Sequence, residues 1–152
     1  MAGYEVRRST TIQAPPEAVY DRIANLTGWT SWSPWEGRDP DLTRTYSGPE
    51  SGVGASYAWQ GNRKVGEGSM TITQADRPGT VALDLRFLKP FKSQSVTTFL
   101  LEPADGGTRV TWVMTGSYTA LSRVFSVFMP MDKMVGGDFE KGLAQLKAEL
   151  EA

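Results

Sequence analysis

From Leu42 to Leu101, and again from about Thr108 to Ser117, apolar residues recur at every second position. This pattern constrains the fold more than any other feature, because a period of two sends alternate side chains to opposite faces of a strand. Val53, Ala55, Tyr57 and Trp59 alternate with small or polar residues, as do Met70 and Ile72. Val81, Leu83, Leu85 and Phe87 alternate with Ala82, Asp84 and Arg86. In the last run Val110, Trp112 and Met114 share one face. Gly61-Asn62, Arg77-Pro78-Gly79 and Ala104-Asp105-Gly106-Gly107 are turn signals between the runs. Short strands joined by hairpin-type turns predict an antiparallel sheet.

Helical patterns frame this region. A first strand is expected over Tyr4 to Gln13, with Val6, Thr10 and Ile12 at even spacing. Ala14-Pro15-Pro16-Glu17 ends it, and proline fits the first turn of a helix, where its missing N–H is no loss. That helix is predicted over Pro16 to Ala24, with Val19, Ile23 and Leu26 on one buried face. Thr27 to Trp35 is too aromatic and turn-rich for a long helix and reads as a single turn plus an irregular loop. After Tyr118, the residues Leu121, Val124, Phe125, Phe128 and Met129 form an apolar approach segment. Pro130 can open a final helix, with Asp132 complementing its dipole. Met131, Met134 or Val135, Phe139, Leu143, Leu146 and Leu150 recur there at helical spacing. The expectation is one α+β domain over residues 1–152. A twisted sheet curling around a helix leaves space where the two diverge, the natural site for a ligand.

Composition narrows the chemistry. The chain has no histidine and no cysteine, but 5 Trp, 6 Phe, 5 Tyr and 6 Met. The usual neutral-pH proton shuttle and commonest metal ligand are therefore missing, as are thiolate nucleophiles and cysteine-based metal sites. No metal site, cofactor or catalytic residue is expected. Adaptable apolar surface is plentiful, the material of pockets for greasy ligands. The net charge of −1 and the absence of a strongly basic stretch argue against nucleic acid as a partner. No apolar run is long enough to span a membrane, and the start of the chain lacks a signal-peptide pattern. A cytoplasmic setting is the default expectation.

The order strand, short helix, six strands, long helix suggests a helix-grip fold, and local sequences sharpen this. They are Trp32-Ser33-Pro34-Trp35 with Asp39-Pro40, then Gly52-Val53-Gly54-Ala55-Ser56-Tyr57-Ala58-Trp59-Gln60-Gly61-Asn62 leading into Val65-Gly66-Glu67-Gly68-Ser69-Met70-Thr71-Ile72. Phe87-Leu88-Lys89-Pro90-Phe91, Gly107-Thr108-Arg109-Val110-Thr111-Trp112 and Gly137-Asp138-Phe139-Glu140-Lys141-Gly142-Leu143 follow. Together these resemble the polyketide cyclase/dehydrase and lipid-transport proteins of the START-like (birch-pollen-allergen-like, SRPBCC) superfamily, over about Tyr4 to Leu150. The resemblance implies a seven-stranded antiparallel sheet wrapped around the C-terminal helix, with an elongated apolar cavity between them. Carried onto this chain, the lining would comprise Tyr57, Trp59, Met70, Leu85 and Phe87 from the earlier strands. Phe99, Trp112, Met114, Met134 and Phe139 would complete it. Each of these residues is equally at home in an ordinary core. Family members that aromatise polyketides use polar cavity groups, sometimes histidine, which this chain lacks.

Other positions carry more than one reading each. Trp29, Trp32 and Trp35 form a lid over the cavity mouth, a patch that touches membranes or partners, or a structural plug. Glycines 52, 54, 66 and 68 read as strand bends rather than a phosphate loop, since no helix follows them. Gly136-Gly137 costs the final helix roughly 1 kcal/mol per glycine relative to alanine. A kink, a close approach of the sheet or room for a ligand would each offset that. Arg8 is in phase with Val6 and Ile12, so it points inward toward a ligand anion or toward Glu67, Asp84 or Asp138, unless a bulge turns it to solvent. Glu67 and Asp138 are the other candidate polar contacts, and either is a general acid if desolvated. The first functional expectation is binding or transport of a lipid, polyketide or isoprenoid-like molecule. The alternatives are a cyclase/dehydratase using a cavity carboxyl or tyrosine, and a protein-interaction module.

Overall fold

The computed structural model describes residues 3–33, 42–61, 66–89, 93–117 and 131–151. Strand β1 (Gly3–Ile12) leads through the two prolines into helix α1 (Pro16–Ala24), which buries Val19, Tyr20, Ile23 and Ala24. Asn25 ends the helix, and its side-chain oxygen accepts from the Thr27 N–H at 3.1 Å, starting a 3₁₀ turn over Leu26–Ser31. Leu26, expected on the α1 face, is buried from this turn instead. Six strands follow: β2 (Thr43–Ser47), β3 (Ser56–Gln60), β4 (Glu67–Asp76), β5 (Thr80–Lys89), β6 (Ser93–Ala104) and β7 (Gly107–Ser117). Helix α2 (Met131–Glu151) closes the chain.

The strands form one antiparallel sheet in the order β1-β7-β6-β5-β4-β3-β2. All neighbours but one are consecutive in sequence, and β1 returns to pair with β7. The β6–β7 hairpin turns on Asp105-Gly106, with φ of 48° and 79°, the left-handed pair that a two-residue turn of this kind requires. Register shifts between Glu67 and Gly68 and between Ile72 and Gln74 bend β4 and deepen the curl of the sheet. The concave face packs on α1, the 3₁₀ turn and α2, and the core runs from Val6 and Ile12 through Leu83, Phe99 and Trp112 to Phe139, Leu143 and Leu146. Among the described residues no helix is long and apolar enough to cross a membrane.

The expected elements are present, with small boundary corrections. The first strand stops at Ile12, and the Gln13 N–H leaves the ladder to donate to Glu151 Oε2 at 2.8 Å. Val53, read as the start of a strand, is 60% exposed in the turn before β3. Gly52 and Gly54, with φ of 82° and 93°, break the extended run there. The approach segment 118–130, with Pro130, lies outside the described residues.

The end of α2 is fastened to its surroundings. Lys147 Nζ donates to the Thr11 carbonyl at 2.6 Å and to Glu151 at 2.7 Å. Glu149 pairs with Arg22 of α1 and accepts from the Ser31 hydroxyl at 2.9 Å. The helix therefore runs parallel to β1, with its last turn against Thr11 and Gln13 and an earlier turn, at Gly136 and Glu140, against Arg8.

Candidate functional site

Register shows which sheet residues stand side by side. Partners in an antiparallel ladder share a face, so one inward row runs Tyr46, Tyr57, Met70, Leu85, Ser95. A second runs Arg44, Trp59, Gly68, Phe87, and a third Ile72, Leu83, Thr97, Met114, Val6. A fourth runs Val81, Phe99, Trp112, Arg8. The expected lining residues of the sheet thus do share the concave face, but they divide into two environments.

Around the fourth row the interior is closed. Trp112 stacks on Phe139 of α2 with centroids 4.1 Å apart and planes 8° from parallel, and Phe99 lies 4.8 Å from Trp112. Trp29 and Trp32 come from the 3₁₀ turn and meet both rings edge-on, Trp32 at 6.1 Å from Phe99 and 5.8 Å from Trp112. Trp29 and Trp32 are 4% and 0% exposed, so these two indoles pack within the interior. Trp35, the third residue of that group, lies outside the described residues. Aromatic contacts of this kind are worth about 0.5–1.5 kcal/mol each beyond burial.

The two indoles of the turn differ in one atom. Trp29 Nε1 donates to the Ile23 carbonyl at 2.8 Å, one of the acceptors that the end of α1 leaves free. Trp32 Nε1 is buried and has no acceptor among the described residues. A buried donor left unmade costs about 1–3 kcal/mol, so such a group calls for an explanation.

Around the first two rows the wall is half-open. Trp59, Met70, Leu85 and Phe87 are partly buried, while Tyr57 and Met114 are buried beside them. Tyr46, Tyr57, Trp59 and Phe87 form a continuous line of rings at 5.2, 5.9 and 5.5 Å. Gly68 makes this line feasible, because a Cβ there would meet the Trp59 ring and the Arg86 carbonyl. The Met134 side chain, expected in this lining, lies outside the described residues. A shallow cleft of about 100 Å³ lies between Leu26, Tyr46, Pro49 and Ala55, well short of the roughly 300 Å³ at which ligand pockets begin.

The polar candidates do not converge. Arg8 faces α2, where its guanidinium occupies the space a side chain at Gly136 would need. Of the three explanations for that glycine, the structure therefore displays close approach, by a side chain of the sheet. Arg8 Nε donates to Glu140 at 3.4 Å, a pair whose exposed carboxylate makes it a weak contributor. Glu67 stands on β4, four strands from Arg8 across the sheet, and Asp84 lies on the convex face beside Arg86 at 3.8 Å. Asp138 is half-buried on α2.

Ser95 and Thr97 were not singled out by the sequence pattern. Both are 6% exposed on the concave face, Ser95 beside Leu85 and Thr97 between Leu83 and Met114. Their phase with Phe99 in β6 was the available signal, since inward positions follow at steps of two.

A seven-stranded antiparallel sheet curled around a C-terminal helix, with an aromatic concave face, defines a protein of the helix-grip class. The family model for polyketide cyclase/dehydrase and lipid transport matches residues 4–151. The chain belongs to that family. No curated protein matches it in sequence. Among solved structures it is similar to protein CV1439 from Chromobacterium violaceum, with a TM-score of 0.69 and 18% identity over 97% of this chain and 98% of that one. It is similar to the Aha1 dimer from Colwellia psychrerythraea, with a TM-score of 0.68 and 18% identity over 97% of this chain and 96% of that one. DynU16, a protein of the dynemicin biosynthetic locus, gives a TM-score of 0.65 at 14% identity over 97% of this chain and 47% of its own. At these identities the likenesses establish the fold.

Proposed function

We propose that this chain, acting over residues 1–152 as one helix-grip domain, binds a hydrophobic small molecule between the concave sheet face and α2. The molecule is lipid, polyketide or isoprenoid-like. The observation that carries this reading is the half-open wall of Trp59, Met70, Leu85 and Phe87, four large apolar side chains left incompletely covered on the inner face of the sheet. Covering them with an apolar ligand yields about 25 cal/mol for each Å² withdrawn from water. The buried hydroxyls of Ser95 and Thr97 supply local polarity to orient it. Tyr57 and Met114 extend the lining, and Phe99, Trp112 and Phe139 form its inner end. Trp29 and Trp32 act as the plug behind that end.

A binder is favoured over a cyclase/dehydratase on chemical grounds. The chain has no histidine or cysteine, so proton transfer would fall to a carboxyl or tyrosine. The test is native mass spectrometry of the purified protein, followed by denaturing extraction of anything bound. An apolar compound recovered unchanged supports a carrier, and a compound converted on incubation supports the enzyme. Leu85→Trp is expected to fill the wall and abolish uptake of an apolar fluorescent probe, with stability changed by less than about 1 kcal/mol, below the 1–3 kcal/mol of overpacking in a closed core. A wild-type protein that is empty and takes up no probe overturns the reading.

A further inference from the structure

We infer that Trp32 Nε1 is the hydrogen-bond donor for a neutral oxygen acceptor, a ketone, aldehyde or ester carbonyl, on the inner end of the bound molecule. This deepens the proposed function and rests on it. Trp32 is 0% exposed, and its indole N–H has no acceptor among the described residues. Its neighbour Trp29, in the same ring cluster, has its N–H satisfied at 2.8 Å by the Ile23 carbonyl. Trp32 touches Phe99, and the inward positions of β6 that precede Phe99 are Thr97 and Ser95, both buried hydroxyls. Ser95 lies beside Leu85 of the half-open wall. One strand thus carries a line of inward polar groups from the apolar wall toward the ring cluster that holds the unsatisfied donor.

The surroundings decide the class of acceptor. The rings about Trp32 are apolar, and among them an ionised carboxylate or phosphate would lose its hydration with a single neutral donor in return. A carbonyl loses far less and accepts one N–H well. The ligand class is therefore an apolar molecule with a carbonyl at its leading end, rather than a free fatty acid or a lipid phosphate.

The test uses a matched pair of fluorescent probes, the naphthyl ketone prodan and its counterpart with the carbonyl reduced to methylene. Both are titrated into the wild-type protein while the indole ¹H–¹⁵N resonances of the 5 Trp are followed. The Trp32 resonance is identified by its loss in Trp32→Phe, or through backbone assignment if that variant does not fold. The expected result is a downfield shift of the Trp32 indole proton with the ketone alone. The ketone should also bind about tenfold tighter than the methylene compound, a margin that Trp32→Phe removes. If both probes bind equally and the Trp32 resonance is unmoved, the inference is overturned and the hydrophobic-binding reading stands. If a carboxylate-tipped naphthalene shifts Trp32 more strongly than prodan, the neutral-acceptor assignment is overturned. Binding of no probe overturns both readings together.

Discussion

The rings of Trp29, Trp32, Phe99, Trp112 and Phe139 and those of Tyr46, Tyr57, Trp59 and Phe87 stand over one concave surface, yet the first set is closed from water while in the second only Tyr57 is buried. Residue type does not separate them, since both sets mix indoles with phenyl or phenol rings. Cover does. The first set receives rings from three elements, the 3₁₀ turn, the sheet and α2, which meet at centroid distances of 4.1–6.3 Å. The second set touches itself along β2, β3 and β5, toward the sheet edge that ends at β2. An aromatic side chain on an inner face is thus core where a second layer arrives and candidate ligand contact where it does not.

Replacing one ring in each set breaks the comparison most directly. Trp112→Ala is expected to cost about 3–5 kcal/mol, because the void is walled by packed rings, whereas Trp59→Ala is expected to cost only about 1 kcal/mol. Urea midpoints measure both, and equal losses would mean that the second row is core as well. Next in size is Gly68→Ala, whose methyl would press on the Arg86 carbonyl and the Trp59 ring. Backbone cannot swing aside, so a loss of about 1–3 kcal/mol is expected together with weaker probe uptake. Gly136→Ala is the contrast. Its obstacle is the far end of the flexible Arg8 side chain, and helix propensity returns roughly 1 kcal/mol, so a net change below about 1 kcal/mol is expected by the same assay.

The smallest effect concerns the fastened end of α2. Hydrogen bonds from Lys147 and from the Gln13 backbone hold the Glu151 carboxyl below its ordinary value of 4.5. A group whose folded-state pKa is lowered contributes stability above its unfolded value and loses it as pH falls through the folded one. Arg77, whose guanidinium holds Asp21 below its ordinary value of 3.8 through hydrogen bonds at 3.0 and 3.1 Å, acts in the same direction. Glu151→Gln is therefore expected to flatten, slightly, the fall in urea midpoint below about pH 4.5 while leaving the neutral-pH probe affinity unchanged. A steeper fall in the variant would contradict the assignment.

Much of this was legible in the chain. Helix α1 spans Pro16–Ala24 as its proline and apolar spacing require, and the face holding Val110, Trp112 and Met114 is buried as its alternation demands. Val53 misled, because alternation ignores the left-handed glycines on either side of it. Arg8 has the inward phase expected of it, but its Glu140 partner is 132 residues away and no local pattern could name it. The polar line of Ser95 and Thr97 was written in the phase of β6 and was overlooked beside the larger residues.

By itself the sequence determined which side chains face inward, because backbone geometry makes that a matter of counting by two or by 3.6. It also determined the chemical palette, apolar and without histidine or cysteine. Only the tertiary structure decided which inward residues are sealed and which are half-covered, and which of two neighbouring indoles finds an acceptor. Those outcomes depend on how a curved sheet, a 3₁₀ turn and the C-terminal helix meet in space, and burial is a property of the layers that meet, not of the strand that carries the residue.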